Sequence, residues 1–293
     1  MKPIRSMLFV PGSKEKWFEK IPEYRSDTVI LDLEDSVPAD LKEQARKQVS
    51  EAISHLHDQG QRVYVRINKG PYSFDFKDVD AVLQDGLEGI VLPKVEGPED
   101  IDIISNIVSQ MEYDKGIEVG KTKLIPTLET AKSIQFAYDI AVKDRVCALA
   151  SVSPKSGDVE RSLGYQWTPL GLERLYIRSR VIVAARAADI MPIGGLWQHV
   201  HDLKGLTRAL KLDRRLGFLG QMVIHPSHVP LVNEIFSPTE EEIRYYKGLI
   251  ETFQQAMKEG KGAVIYEGEH IDYAHVKSAE KYLELAESYN RMS

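Results

Sequence analysis

Eight short apolar runs, each followed by a stretch of helical periodicity, are the feature that most narrows the fold. The runs are MLFV (7–10), TVILDLE (28–34), RVYVRIN (62–68), GIVLPKV (89–95), TKLIPTLET (122–130), VCALASVS (146–153), IMPIGGL (190–196) and QMVIHP (221–226). The segment after the second run shows the helical spacing well: Leu41, Ala45, Val49, Ile53 and Leu56 fall on one face. Strict alternation of strand and helix predicts a parallel sheet with crossover helices. Eight such units within about 235 residues predict an α/β protein of the (β/α)8 TIM-barrel type. An open doubly wound sheet is the alternative, but no G-x-G-x-x-G follows the first run. We therefore expect a barrel domain over 1–235. Residues 236–293 read as a C-terminal helical and lid extension, with a short strand pair and a terminal helix, packing on the barrel and on a neighbouring subunit.

Composition removes several function classes. Apolar residues at 43% are enough to fill a core, and a net charge of -6 argues against a nucleic-acid partner, which needs a basic face. Cys147 is the single cysteine, so no internal disulfide and no cysteine zinc cluster is expected, and a reducing, cytoplasmic setting fits. The first apolar run is too short for a signal-peptide core, and no stretch approaches the length of a membrane span, so no membrane partner is expected.

In a TIM barrel the chemistry sits at the carboxyl ends of the strands. There this sequence places Asp32, Glu34 and Asp35 after the second run, Arg66 and Asn68 in the third, Lys94 and Glu96 after the fourth, Glu129 after the fifth and Asp158 after the sixth. A convergence of acids calls for a cation, and oxygen ligation by one or two carboxylates with retained waters suits Mg²⁺. The fork of Arg66 suits a substrate carboxylate, or a structural pair with one of these acids. Glu129 alone also reads as a solvated or lysine-paired strand end. His225 and His228 share metal-ligand spacing, but they flank Pro226 and read as hydrogen-bonding residues. Tyr245, Tyr246 and Phe253 read as helix packing. GIEVGKT (116–122) imitates a phosphate loop but has three residues between its glycines instead of four and precedes a strand.

Taken together, RSMLFVPG, LDLEDSVP, YVRIN, GIVLPKVE, PTLETA, GDVERSLG and GQMVIHPSHVPLVNEIFSPTEEEI, in this order from Arg5 onward, resemble the citrate lyase β-subunit-like branch of the HpcH/HpaI aldolase superfamily. The resemblance implies a metal-dependent carbon–carbon lyase acting on 3-hydroxyacyl-CoA thioesters of malyl, citramalyl or citryl type. The products are acetyl-CoA or another acyl-CoA and a short 2-keto acid. It implies Mg²⁺, with Mn²⁺ as a substitute, coenzyme A as part of the substrate, and a homotrimer or hexamer. By residue, it implies Glu129 and Asp158 as metal ligands, with Glu129 also touching substrate, and Glu34 and Asp35 beside metal-bound waters. Arg66 would grip the keto-acid carboxylate, Arg5 and Lys14 would face the CoA phosphates, and Asp272 would move the proton in a neighbouring subunit's site. The loop after the sixth run departs from the family pattern G-x-E-D-L-x-x-D-L-G: Lys155 and Gly157 replace the usual glycine and glutamate, and Arg161 adds a positive charge. PIGGLWQ lacks the acid of the AIDG-type seventh strand end. Alternative expectations are a β-like subunit acting on a carrier-bound acyl group, a CoA-independent keto-acid aldolase and a thioesterase.

Overall fold

The computed structural model describes residues 3–290; the outermost residues of the two expected domains, 1–2 and 291–293, lie outside them. The strands are β1 (Ser6–Pro11), β2 (Thr28–Asp32), β3 (Arg62–Arg66), β4 (Leu87–Leu92), β5 (Lys123–Pro126), β6 (Ala148–Ala150), β7 (Met191–Gly194) and β8 (Gly220–Val223). All pair in parallel in the order β5-β4-β3-β2-β1-β8-β7-β6. Bridges from Leu124 to Val146 and from Thr127 to Ala150 close β5 onto β6, so the sheet is a barrel. The expected (β/α)8 barrel is the observed fold.

The helices are α1 (Glu15–Phe18), α2 (Lys42–Asp58), α3 (Phe76–Val82), α4 (Pro98–Asp114), α5 (Ala131–Gln135), α6 (Ala137–Ala141), α7 (Asp158–Leu163), α8 (Leu175–Ala187), α9 (Leu203–Leu216) and α10 (Val229–Phe236). The long helix α8 begins at Leu175 directly after a 3-10 turn, and the helical stretch after β5 is broken into α5 and α6. Inside the barrel Met7, Ile30, Tyr64, Val91, Ile125, Ala148, Ala150, Ile193 and Met222 form one buried cluster. Their strand neighbours Leu8, Val29, Leu31, Val63, Val65, Ile90 and Leu149 are equally buried. Sheets covered on both faces carry such continuous apolar runs, which is why these strands read as unbroken hydrophobic stretches.

By compactness the chain divides at Ile235: Ile4–Glu234 form the barrel unit, and the residues that follow form a second unit. In the second unit α11 (Glu240–Lys258) starts at a Thr239–Glu242 capping box, and β9 (Val264–Tyr266) pairs antiparallel with β10 (Glu269–Ile271) before α12 (Tyr273–Asn290). Leu249, Phe253, Ile271, Val276 and Ala279 make its core, with Tyr245 and Tyr246 packed against it. No helix of the described residues is long and apolar enough to cross a membrane.

GIEVGKT is a turn between α4 and β5, and its amides are already engaged. The N–H groups of Gly120 and Thr122 donate to the Glu112 carboxylate at 2.8 Å each, and Arg145 Nη2 binds the same carboxylate at 2.6 Å. Burial raises the Glu112 pKa, but Arg145 and the two amides outweigh it and hold the group below its ordinary value. Glu112 is fully buried and Arg145 nearly so, so removing either partner strands a charge. The folded-state pKa of Glu112 is depressed, so its contribution is present above the ordinary carboxylate range and lost as pH falls through the folded value. Arg145→Met is therefore expected to destabilise the barrel by about 3–5 kcal/mol in denaturant unfolding at neutral pH. The difference from wild type should shrink in acid.

Candidate active site

The mouth is built first from Asp32 and Arg66, the last residues of β2 and β3, which face each other in register. Arg66 donates Nε–H to Asp32 Oδ1 at 2.7 Å and Nη2–H to Oδ2 at 2.6 Å, while its Nη1 stands 3.1 Å from Glu34 Oε2. The guanidinium also lies over the Phe9 ring, 4.8 Å from its centroid. Burial opposes charge on both groups, yet the pairing wins: Arg66 is raised further and Asp32 is held below the usual carboxylate range. Asp32 also accepts from the backbone N–H of Glu34 at 3.0 Å, so it shapes the turn that carries the next two acids.

Those two acids have basic partners that the sequence reading did not assign. Lys94 Nζ binds a Glu34 carboxylate oxygen and lies 3.2 Å from Asp35 Oδ1. Its own backbone is left-handed, at φ 52°, a sparsely populated conformation for a lysine. Lys42 Nζ donates to the carbonyls of Leu33 and Glu34 and to Asn68 Oδ1 at 2.6–2.7 Å. Arg66 thus pairs with Asp32 and Glu34, and Lys94 with Glu34 and Asp35, while Lys42 holds the backbone of the turn that carries them. Lys94 was visible at the end of the fourth run, but its turn toward β2 is a property of the folded chain.

Glu129 is different. It follows β5, is 6% exposed, and has no ion-pair partner among the described residues. Burial pushes its pKa up to about 7, helped by the nearby charges of Glu34 and Asp158 and opposed by Thr127 and Arg66. Glu34, also buried, is raised chiefly by burial, with Arg66 and Lys94 offsetting part of it.

Asp158 is the first residue of α7 and is half-buried. Two contacts set its loop. Ser162 Oγ accepts from the Ala131 N–H at 2.8 Å, tying α7 to the start of α5, two residues beyond Glu129. Gly157 passes so close to Pro154 that a Cβ would lie 2.7 Å from Pro154 Cγ, so the loop in this course leaves no room for a side chain there. Gly195, after β7, makes the same kind of approach to this loop, where a Cβ would meet Ser151 O at 2.3 Å.

Among the described residues no three His, Cys, Asp or Glu side chains stand ready as a metal cage. What stands is a buried, unpaired Glu129 with the Asp158 charge beside it. A buried carboxylate whose pKa is raised by burial and like charge is a candidate functional group, and a cation is one partner that would offset its charge. Mg²⁺ takes one or two carboxylates and completes its shell with water and substrate oxygens, so this donor set fits it.

The remaining expected residues fall in different places. Lys14 is exposed in the loop after β1, on the side of the strand ends that form the mouth. Arg5 precedes the first residue of β1 and is bound to Asp27 through Nε and Nη2 at 2.9 and 2.7 Å. That puts it at the amino-terminal ends of the strands, opposite the mouth, so the expectation that it faces CoA phosphates is corrected. Asp272 belongs to the second unit, just before α12, where its Oδ1 lies 2.7 Å from His275 Nδ1 and accepts from the Ala274 N–H at 2.9 Å. The His275 bond leads the causes that lower its pKa. His228 is buried with Nε2 2.9 Å from Val200 O, and His225 caps Ser227; both hydrogen-bond structurally.

With this geometry in view the comparisons are specific. Residues 5–226 match the HpcH/HpaI aldolase/citrate lyase family, and residues 173–290 match the C-C bond lyases of the TIM-barrel fold. The chain belongs to the HpcH/HpaI aldolase/citrate lyase family. It is 31% identical to the citrate lyase subunit beta of Haemophilus influenzae, over 98% of both chains. It is also 31% identical to the L-malyl-CoA/beta-methylmalyl-CoA lyase of Cereibacter sphaeroides, over 98% of this chain and 95% of that one. Two crystal structures share the fold. One is CitE of Mycobacterium tuberculosis in complex with magnesium, acetoacetate and coenzyme A, with TM-score 0.76 and 23% identity over 97% of this chain and 98% of that one. The other is a citrate lyase of Burkholderia xenovorans, with TM-score 0.85 and 18% identity over 99% of this chain and 93% of that one.

The raised pKa of Glu129 has a measurable consequence in this family member. The folded chain holds a proton on Glu129 that the unfolded chain has already released, so stability falls as pH rises from the ordinary carboxylate range to about 7. Denaturant unfolding in chelator should show a loss of roughly 3 kcal/mol across that window, absent in Glu129→Gln.

Proposed function

We propose that this chain is a Mg²⁺-dependent carbon–carbon lyase. It cleaves or forms a 3-hydroxyacyl-CoA thioester of malyl, citramalyl or citryl type, with acetyl-CoA or another acyl-CoA and a short 2-keto acid on the other side. The observation that carries the reading is the buried, unpaired Glu129 beside Asp158 at the barrel mouth, in a chain of this family. The malyl-CoA lyase relative supports the thioester class.

Glu129 and Asp158 hold the cation, and Glu34 orders water beside it. A divalent cation bound there supplies a Lewis acid for an alcohol or carbonyl oxygen of the substrate. Arg66 spends three of its five N–H groups on Asp32 and Glu34, and its two remaining N–H groups face a substrate carboxylate. The pair with Asp32 and the stack on Phe9 fix the plane in which they point. Lys14 meets the phosphates of coenzyme A. Asp35, largely exposed and bound to Lys94, is left out of the site.

Asp272, ionised at neutral pH, moves the proton to or from the carbon next to the thioester. It does so in the site of a neighbouring copy, within a homotrimer or hexamer in which the second unit acts as a lid. A second reading, with the acyl group on a carrier protein, draws on the likeness to the citrate lyase beta subunit.

The test is release of acetyl-CoA from malyl-CoA and citramalyl-CoA, with Mg²⁺ and with chelator. We expect metal-dependent cleavage that drops by about a hundredfold or more in Glu129→Ala, equal to about 2.7 kcal/mol of transition-state stabilisation. Cleavage of carrier-bound substrate only would select the second reading. Mixing inactive Glu129→Ala and Asp272→Asn subunits should restore part of the activity; no recovery in mixed oligomers would place Asp272 in its own subunit's site or outside the chemistry.

A further inference from the structure

The loop that carries Asp158 also carries its own cation. Arg161 lies one helical turn along α7, so the two side chains share a face, and Arg161 Nη2 binds Asp158 Oδ1. Its Nη1 donates to Ser156 O at 3.1 Å, which anchors the guanidinium to the loop through a second bond. The pair is asymmetric. Arg161 is 65% exposed, whereas Asp158 is 30% exposed. The backbone around Asp158 is held at three places: Gly157 against Pro154, Ser162 on the Ala131 N–H, and the Glu160 carboxylate on the N–H groups of Ser156 and Trp167. The arginine side chain is therefore the part that is free to leave.

We propose that Arg161 is a built-in competitor for the Asp158 carboxylate, exchanging with the divalent cation and setting how weakly that cation is held. The proposal rests on the reading of Glu129 and Asp158 as the cation's ligands. A guanidinium and a divalent ion are alternative partners for the same oxygen, and the released Arg161 charge still repels a neighbouring cation. An ion on Oδ1 must displace Arg161, and one on Oδ2 shares the carboxylate with the guanidinium and feels its charge; either way the cation is held more weakly. Lys155, exposed in the same loop and without an ion pair to Asp158, is the internal control for plain loop charge.

The experiment is Mn²⁺ binding to the purified full-length chain without substrate, followed by electron paramagnetic resonance of the free ion and by calorimetry. Arg161→Gln should bind Mn²⁺ about threefold to tenfold more tightly than wild type, the scale of one partly exposed ion pair plus one neighbouring charge. The gain should shrink at high salt, and Arg161→Lys, which keeps the charge but loses the fork, should fall between the two. Lys155→Gln should change little. Unchanged or weaker binding in Arg161→Gln overturns the proposal, as does an equal gain in Lys155→Gln, which would reduce the effect to loop charge. Asp158→Asn separates the two levels. If it abolishes tight binding while Arg161→Gln is unchanged, only the competition falls; if it binds Mn²⁺ like wild type, the ligand assignment falls with it.

Discussion

The pair between Asp32 and Arg66 is the constraint around which the mouth is arranged. Parallel register sets the last residue of β2 beside the last residue of β3, and burial leaves the Asp32 carboxylate almost no access to water. In a low-dielectric setting two N–H···O bonds in one plane hold the guanidinium far more firmly than a surface pair would. That fixed plane then serves Glu34 on one side and Phe9 on the other, while Asp32 turns the chain so that Glu34 and Asp35 meet Lys94. A substrate-facing arginine and a structural arginine are here the same residue.

Glu129 gains its chemistry from being left out of that network. The acids after β2 have cationic partners: Arg66 for Asp32 and Glu34, and Lys94 for Glu34 and Asp35. Glu129 is buried among like charges with only Arg66 at hand, so its proton is held up to about pH 7. The contrast between paired and unpaired carboxylates at one barrel mouth distinguishes scaffold from site, because each kind responds differently to a cation.

The loop after β6 shows how a departure from a family pattern can be absorbed. With glycine in place of the glutamate before Asp158, the loop packs closely on Pro154, and Ser162 accepts a hydrogen bond from the start of α5. The loop retains its anchorage while its charge changes sign around Asp158. The seventh strand end gives up an acid for glycine in the same neighbourhood, and Gly195 allows the loop after β7 to lie directly on Ser151.

Apolar periodicity alone determined the barrel. Strands buried on both faces need continuous apolar runs, and their crossover helices need one apolar stripe, so both leave marks in local sequence. The same runs located Arg66 at the end of β3, Glu129 just after β5 and Asp158 in the segment after β6. Local sequence could not say which charges meet. The resemblance turned Arg5 toward CoA phosphates, but it is spent on Asp27 at the far end of the barrel; Lys94 was placed at the mouth without a partner, and it bridges Glu34 and Asp35. Lys94 is 60 residues from Glu34 and Arg66 is 34 residues from Asp32. Pairings over such separations depend on strand register and on which side chains burial deprives of water, and only the closed barrel decides either.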